Sequence, residues 1–556
     1  MDILIYSTLT NFIYFCAGYV CLSKNKLKTE GYFYVFFTGL ISLSFTSLLL
    51  NFFFKLSPSF NSIIYLLVII LFLIKTKFTP KLNKRIIVFL FISSISTFLL
   101  IIYSNVNRPD AGLYHLPYVS LLNENKIILG ISNIHSRFAY TSILQYLSAL
   151  NYNFLFLENG ISIPLASIVS FFYIYFFNDI LRVVTKKDKI TYPKVFSLFI
   201  IIYISYKINR YSGFGNDAIA HLSFFYLISY FLKSNLENID LKKLTIISVF
   251  VFINKPMLGL VFIVPLFVII TNKENRIKML LLTTFSFPAL FLFLWFLKNI
   301  FISGCMIYPL KITCIKNLEW TNYNKITQDK IEGSAWSKAW PDRLNKNISM
   351  SEYNKNFNWL KSWSKIHLKH IIKIVAPFLS IVVLISFYLK FHSRNTNDYY
   401  EENFKLKIYF SIIFCLFGLI GFFIIFPIYR YGYSYLITMI CLLASNFNKK
   451  EITSIKNINV FKIFFIFCIL VIITKQFLKI NNNYYQNKFW PNIYTFGEKV
   501  YSHKKIFITN NFHYFYAFNG DNLCMYSKSP CTSYKLTDEI QPKKKLGYTI
   551  LSLKND

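Results

Sequence analysis

Long apolar runs separated by short polar segments fill the chain from its first residues to about residue 478. A helix needs roughly 20 apolar residues to cross the hydrocarbon of a bilayer. Runs such as "IIVFLFISSISTFLLIIYS" (86–104) supply them, so the pattern predicts an all-α polytopic membrane protein. No cleavable leader pattern precedes the first run, which is expected to stay as a span. Past 479 the pattern changes. "KKIFITNNFHYFYAF" (504–518) alternates apolar and polar positions, the period of strands, and the tail reads as a small α/β region with a few strands.

Two stretches fit less simply. "SRFAYTSILQYLSALNYNFLF" (136–156) is only moderately apolar and is expected to lie in, or dip into, the outer interface without crossing. "LTIISVFVFINKPMLGLVFIVPLFVII" (244–270) is short for two spans. It reads as a tight hairpin turning at Lys255-Pro256, because proline and an ionisable group at depth are tolerated where they line a cavity.

The placement of positive charge orients these runs. Lys- and Arg-rich loops mark the cytoplasmic side, and the strongest are "SKNKLK" (23–28), "KTKFTPKLNKR" (75–85), "RVVTKKDK" (182–189), "NKENRIK" (272–278) and "NKKEITSIK" (448–456). With all of them inside, the parity closes at about 14 spans with both termini outside. Three parts are then expected: an N-terminal transmembrane extension (1–84), a membrane domain (85–478) with outer loops 105–159 and 303–365, and an extracytoplasmic C-terminal region (479–556).

Composition changes this picture little. The chain is 55% hydrophobic with a formal net charge of +35, which raises the question of nucleic acid. The basic residues fall between spans rather than in a separate basic domain, and the Lys, Asn, Ile, Phe and Tyr bias is what an AT-rich genome encodes. Nucleic acid is therefore not an expected partner.

The nine arginines are more informative. Arg85, Arg182, Arg276 and Arg394 fall in the basic loops, whereas Arg108, Arg137, Arg210, Arg343 and Arg430 fall on the predicted outer side. Arginine suits bidentate phosphate recognition, so an anionic ligand outside is one reading and anchoring to lipid headgroups is the other. Cys305 with Cys314, and Cys524 with Cys531, form two close pairs on that same face. They are disulfide candidates, since disulfides belong to oxidising compartments. The alternative is a chance scatter of cysteines, and the spacing is not that of a tetrahedral zinc site.

Neither a Walker loop nor a dinucleotide fingerprint is present. What remains outside is a set of isolated acids (Asp110, Asp217, Glu319, Glu332) among aromatic-rich loops. A carboxylate at the bilayer edge works as a general base once partial desolvation lifts it from its ordinary value of about 4. Nearby cations then stabilise a departing phosphate. Asp110 is also well placed to cap a helix. His115, His135 and His221 share the predicted face but form no recognised ligand set. No cofactor is assigned, and a divalent metal stays an open alternative.

"RPDAGLYHLPYVSLLNENKIILG" (108–130) resembles the first extracytoplasmic loop of the GT-C class of membrane glycosyltransferases, in which an Asp precedes a "YHLP" segment. "LKNIFISGCMIYPL" (297–310) resembles the family's R-N-x-x-x-T-G-N-P-x-Y-P-F segment, with Lys298, Asn299, Gly304, Tyr308, Pro309 and Leu310 in step. "FPIYRYGYSYLITMICLLA" (426–444) resembles its late P-x-x-R-Y-L-x-P element at Pro427, Arg430 and Tyr431. "INKPMLGL" (253–260) resembles a K-P/Y-T-G-L turn at Lys255, Pro256, Gly259 and Leu260. These matches run in family order over roughly 85–445. Where many members carry Trp before the Asp, this chain has Pro109, and the candidate for a second acid is Asp217 in "RYSGFGNDAIAH" (210–221).

The resemblance implies a GT-C-like core and an inverting enzyme. Such an enzyme moves a sugar from a polyprenyl-phosphate carrier in the membrane lipid to a glycan, lipid or protein acceptor on the outer face of the cytoplasmic membrane of a bacterium. It implies Asp110 as the base, with Arg430, Lys255, Arg210 and Arg108 on the lipid phosphate. His115 is a supporting group, and Asp217 and Tyr431 are further site residues. Two other classes compete: a lipid-linked glycan polymerase or ligase, and a transporter or flippase, for which inverted repeats would argue.

Overall fold

The computed structural model describes residues 2–23, 26–27, 31–79, 83–104, 110–211, 213–272, 282–391, 401–446, 455–483, 489–494, 502–510, 512–518, 522–536 and 540–553. Four apolar helices come first: α1 (Asp2–Cys21), α2 (Tyr32–Asn51), α3 (Pro58–Lys75) and α4 (Lys84–Ile101). Proline at the first position of α3 and the Asn83 side chain accepting from the Arg85 amide start two of them where their sequences allow. Gly18 and Gly39 let α1 and α2 cross backbone to backbone. A Cβ on Gly18 would stand 1.8 Å from the Val35 carbonyl oxygen, and one on Gly39 1.7 Å from that of Tyr14.

Two short helices follow, α5 (Leu116–Glu124) and α6 (Ile143–Leu150). A second series comprises α7 (Ile163–Val184), α8 (Tyr192–Tyr211), α9 (Asp217–Lys233), α10 (Leu241–Asn254) and α11 (Ile263–Thr271). After α12 (Leu282–Ser303), a polar segment carries α13 (Tyr323–Ser337). The helical part ends with α14 (Lys369–Phe391), α15 (Glu402–Ile425), α16 (Tyr433–Ser445) and α17 (Ile455–Asn483).

Among the described residues nine helices are long and apolar enough to cross a membrane: α1 to α4, α7, α12, α14, α15 and α17. The protein is a multi-pass membrane protein. α7 lies at the centre, with 83% of its apolar window buried, while α3, α14, α15 and α17 keep only 22–28% buried and face outward. Against about 14 expected spans, α8 to α11 and α16 are shorter or more polar and pack among the nine.

The stretch 244–270 forms the expected hairpin, with Lys255 closing α10 and a 3-10 segment (Pro256–Phe262) leading into α11. The stretch 136–156 does not cross. It forms a 3-10 turn (Ser136–Tyr140) and then the eight-residue α6. α6 lies buried inside the protein instead of at the lipid surface, because all eight of its side chains are enclosed.

The C-terminal region is a sheet region with no helix among the described residues after Asn483. β1 (His503–Thr509) and β2 (Phe512–Ala517) are antiparallel, and β3 (Cys531–Thr532) runs parallel to β2. β4 (Ile540–Lys545) and β5 (Tyr548–Leu553) form a hairpin. Its turn places Leu546 and Gly547 both at positive φ, the requirement of a type I′ connection. β5 is sewn to the membrane domain by Leu551 N to Leu129 O (2.9 Å) and Leu129 N to Thr549 O (3.0 Å).

Candidate functional site

Four segments distant in sequence meet at one end of the bundle. The first is a single π-helical turn, Ala111–His115, that leads into α5 and begins at Asp110. Asp110 makes no side-chain cap to that turn. Its Oδ2 instead accepts from Nη2 of Arg430 at 2.6 Å, so the carboxylate serves the cavity and not the helix end. The second segment is 213–217, which starts α9 with Asp217. The third is the α10 hairpin turn, where the Lys255 Nζ donates to Asp217 Oδ1 at 2.6 Å. Asn216 ties these two segments together by donating to the Asn254 carbonyl (3.1 Å). The fourth is the turn 426–432 between α15 and α16, carrying Arg430 and Tyr431.

Arg430 bridges the two acids, with its Nε 3.7 Å from Asp217 Oδ2. Tyr431 lies between the cations, 3.9 Å from Lys255 Nζ and 5.7 Å from the Arg430 guanidinium, measured to the ring centre. Burial works against the charge on Arg430, but Asp217, Tyr431 and Asp110 outweigh it and hold its pKa above the ordinary value. Lys255 is almost fully enclosed, its side chain 5% exposed, whereas Asp110 keeps 32% exposure and can still be reached.

Asp110, His115, Arg210, Asp217, Arg430 and Tyr431 all line a single cavity of ≈ 150 Å³ that opens to solvent. Lys255 supports the wall through Asp217. Arg108 lies outside the described residues.

His115 is held from behind. Ser142 opens α6 with a capping box in which Gln145 Oε1 accepts from the Ser142 amide (2.8 Å) and hydroxyl (2.9 Å). That commits the Gln145 amide nitrogen to His115 Nδ1, 2.5 Å away. His115 is therefore the neutral tautomer with its proton on Nε2. Burial lowers its pKa from 6.5 to about 4.

The sequence assigns no role to Gln145, and Tyr114 enters it only as the first residue of the "YHLP" segment. Tyr114 lines the cavity, and burial followed by the nearby Asp110 raises its pKa well above 10.0. Arg137 sits 5.8 Å from the Tyr114 ring. The "SILQ" capping box is legible as a motif, and Tyr114 is legible as the opening residue of "YHLP", though neither shows that the side chain reaches the site.

His115 and His221 line the cavity, while the His135 ring packs on Phe138 and Tyr534 and accepts from the Arg137 amide at 3.2 Å. Among the described residues no three His, Cys, Asp or Glu side chains gather as metal ligands would.

The C-terminal region grips the turn that presents Asp110. The Met525 amide donates to the Gly112 carbonyl (2.8 Å), and a Cβ on Gly112 would meet the Met525 sulfur at 2.4 Å. Tyr526 donates to Asn123 (3.2 Å), and Ser529 donates twice to Glu124 (3.0 and 2.9 Å). This gripping loop is closed by a disulfide between Cys524 and Cys531. A second disulfide, Cys305–Cys314, closes the loop after α12.

Comparison with curated proteins returned no match, and neither did comparison with solved structures. A protein family described as a domain of unknown function, DUF8201, matches residues 1–437, a stretch that holds all four segments of the site. The chain belongs to the DUF8201 family.

Proposed function

We propose that the protein is an inverting membrane glycosyltransferase that moves a sugar from a polyprenyl-phosphate carrier to a glycan, lipid or protein acceptor. The observation that carries this reading is the junction of Asp110 with Arg430 and Asp217 in one cavity, with Lys255 behind Asp217, since a reachable carboxylate stands beside cations fixed by a second acid. On this reading Asp110 takes the proton of the acceptor hydroxyl as its oxygen bonds to the anomeric carbon. The carbon–phosphate oxygen bond breaks, and the lipid phosphate departs with the electron pair towards the cations of the cavity. Neutral His115 keeps a proton on the cavity side and fixes the turn through Gln145.

The working face is proposed to be extracytoplasmic, on the cytoplasmic membrane of a bacterium. Two features support that orientation. Both disulfides lie at the cavity end, and disulfides persist in oxidising compartments. Described lysines of the basic segments lie at the opposite end of the helices, where Lys26 pairs with Asp240 at 2.7 Å.

Asp110→Asn tests the chemistry. At matched expression the variant is expected to lose the glycan or glycolipid product, by about two orders of magnitude or more for loss of a general base. Unchanged surface glycans in that strain would falsify the reading.

A further inference from the structure

The cations of the cavity fall into two groups that differ in what they already hold. Arg430 and Lys255 are committed to Asp110 and Asp217 at 2.6 Å each. Lys207 and Arg210 also line the cavity, yet among the described residues neither is paired with a carboxylate. They stand three positions apart on α8, so both project from one face of the helix. The Lys207 ammonium lies 5.4 Å from the Tyr206 ring and 5.9 Å from the Tyr433 ring, held between two aromatic faces. A third cation, Lys475 on α17, reaches the same Tyr206 ring at 4.7 Å and donates to the Tyr206 carbonyl. Among the described residues this part of the lining therefore carries cations without paired carboxylates, whereas Arg430 and Lys255 are each paired.

The surroundings of this wall also point to the membrane. Ile374 of α14 also lines the cavity, and α14 is one of the outward-facing helices, with Ile372 55% and Leu384 70% exposed. An anion seated on Lys207 and Arg210 has an apolar, membrane-facing helix beside it, which suits a phosphate carried on a hydrocarbon chain.

We propose that Lys207 and Arg210 are the seat for a phosphate ester in this cavity, and that Arg430 and Lys255 hold the acids in place instead of holding the phosphate. The inference rests on the reading of the cavity as a site for a phosphorylated lipid carrier. It divides the work between an acid wall at Asp110 and an anion wall at Lys207 and Arg210, with the bond that breaks between them.

Binding of farnesyl phosphate to the purified full-length protein in detergent tests this, with farnesol and inorganic phosphate as parallel probes. The wild type is expected to bind farnesyl phosphate, to ignore farnesol, and to bind inorganic phosphate far more weakly. K207Q/R210Q is expected to weaken farnesyl phosphate binding about ten- to hundredfold, the loss of one or two charge-assisted contacts. K207R/R210K, which keeps both charges, is expected to restore most of the affinity and so separates loss of the seat from misfolding. K504Q/K505Q, which removes two exposed lysines of β1 outside the cavity lining, is expected to stay within about threefold of the wild type. The proposal is overturned if K207Q/R210Q binds farnesyl phosphate like the wild type, an outcome that leaves the lipid-phosphate reading standing. A wild type that binds inorganic phosphate as tightly as farnesyl phosphate, or that binds neither, sinks both.

Discussion

Arg430 has two acids and one guanidinium to divide between them, at 2.6 Å from Asp110 and 3.7 Å from Asp217. Losing one partner of a partly enclosed charge pair leaves the other unsatisfied. Arg430→Gln is accordingly expected to cost about 1–3 kcal/mol of stability. Adding Asp110→Asn is expected to recover part of that loss, because the stranded carboxylate goes with it. Thermal unfolding of the two single variants and the double in one detergent measures this coupling, and simple additivity would argue against it.

His115 makes a separate prediction about pH. Its pKa falls from 6.5 to about 4 on folding because burial disfavours the cation. The unfolded chain then binds the extra proton first, so this stability is complete above 6.5 and is lost as pH falls from there towards 4. Integrated over that window it amounts to at most about 3 kcal/mol. His135, lowered to about 3 by burial, acts in the same direction. The informative quantity is therefore the difference between the wild type and His115→Gln, whose acid sensitivity between pH 6.5 and 4 is expected to be shallower. A parallel pair of profiles would remove His115 from the account.

Among these residues, Asp110, Arg430 and Lys255 could be singled out from short motifs, because each is the polar exception beside an apolar run. Lys207 could not. It is one lysine among many in the sequence, and what distinguishes it is that it lines the cavity with no paired carboxylate among the described residues.

At the scale of elements, the π-turn of Asp110 depends on a partner more than 400 positions away. Met525 is fully buried against Gly112, and Leu523 lies 3.3 Å from where a Gly112 side chain would begin. A methyl group at 112 can be met by a shift of the flexible Met525, whereas a branched side chain has to displace the 523–525 backbone. Gly112→Val is expected to free the gripping loop at a cost of about 1–3 kcal/mol. Proteolysis within 502–536 should then quicken while α1 to α17 stay intact. Met525→Ala in the same chain is expected to slow that cleavage again by making room, and if it does not, the clash is not the cause.

Local pattern explains what could be read at this scale. Apolar length gave the helices and the 244–270 hairpin, and alternation gave β1 and β2, because each of these is written within a few consecutive residues. The grip of 523–529 on 112–124 is written nowhere locally. It is a set of backbone and hydroxyl contacts between segments that share no periodicity. The enclosure of α6 was hidden for a related reason. Its polar Gln145 and Ser142 satisfy each other and His115, so a stretch that looked fit for an interface is at home in the core.

Across the whole molecule the two ends are chemically distinct. At one end lie the cavity, both disulfides and the sheet region. At the other, lysines close helix ends. Lys75 donates to the carbonyls of Tyr19, Val20 and Leu22 at the end of α1, and Lys407 to those of Leu232 and Ser234 at the end of α9, where the helix dipole favours a cation. Asp179 is shared there between Lys194 and Lys233. This polarity is what the positive loops foreshadowed, and it supplies a test of the proposed orientation that does not depend on any enzymatic assay. Leu546, 90% exposed in the β4–β5 turn, marks the cavity end, and Phe78, 70% exposed after α3, marks the lysine end. Exposed Cys21 lies at the lysine end and is first replaced by serine to clear the background. In that chain Leu546→Cys is expected to react with a membrane-impermeant maleimide in intact spheroplasts, and Phe78→Cys only after lysis. The reverse pattern would put Asp110 on the cytoplasmic face, where the disulfides would not persist and a lipid-phosphate donor outside the membrane would be out of reach.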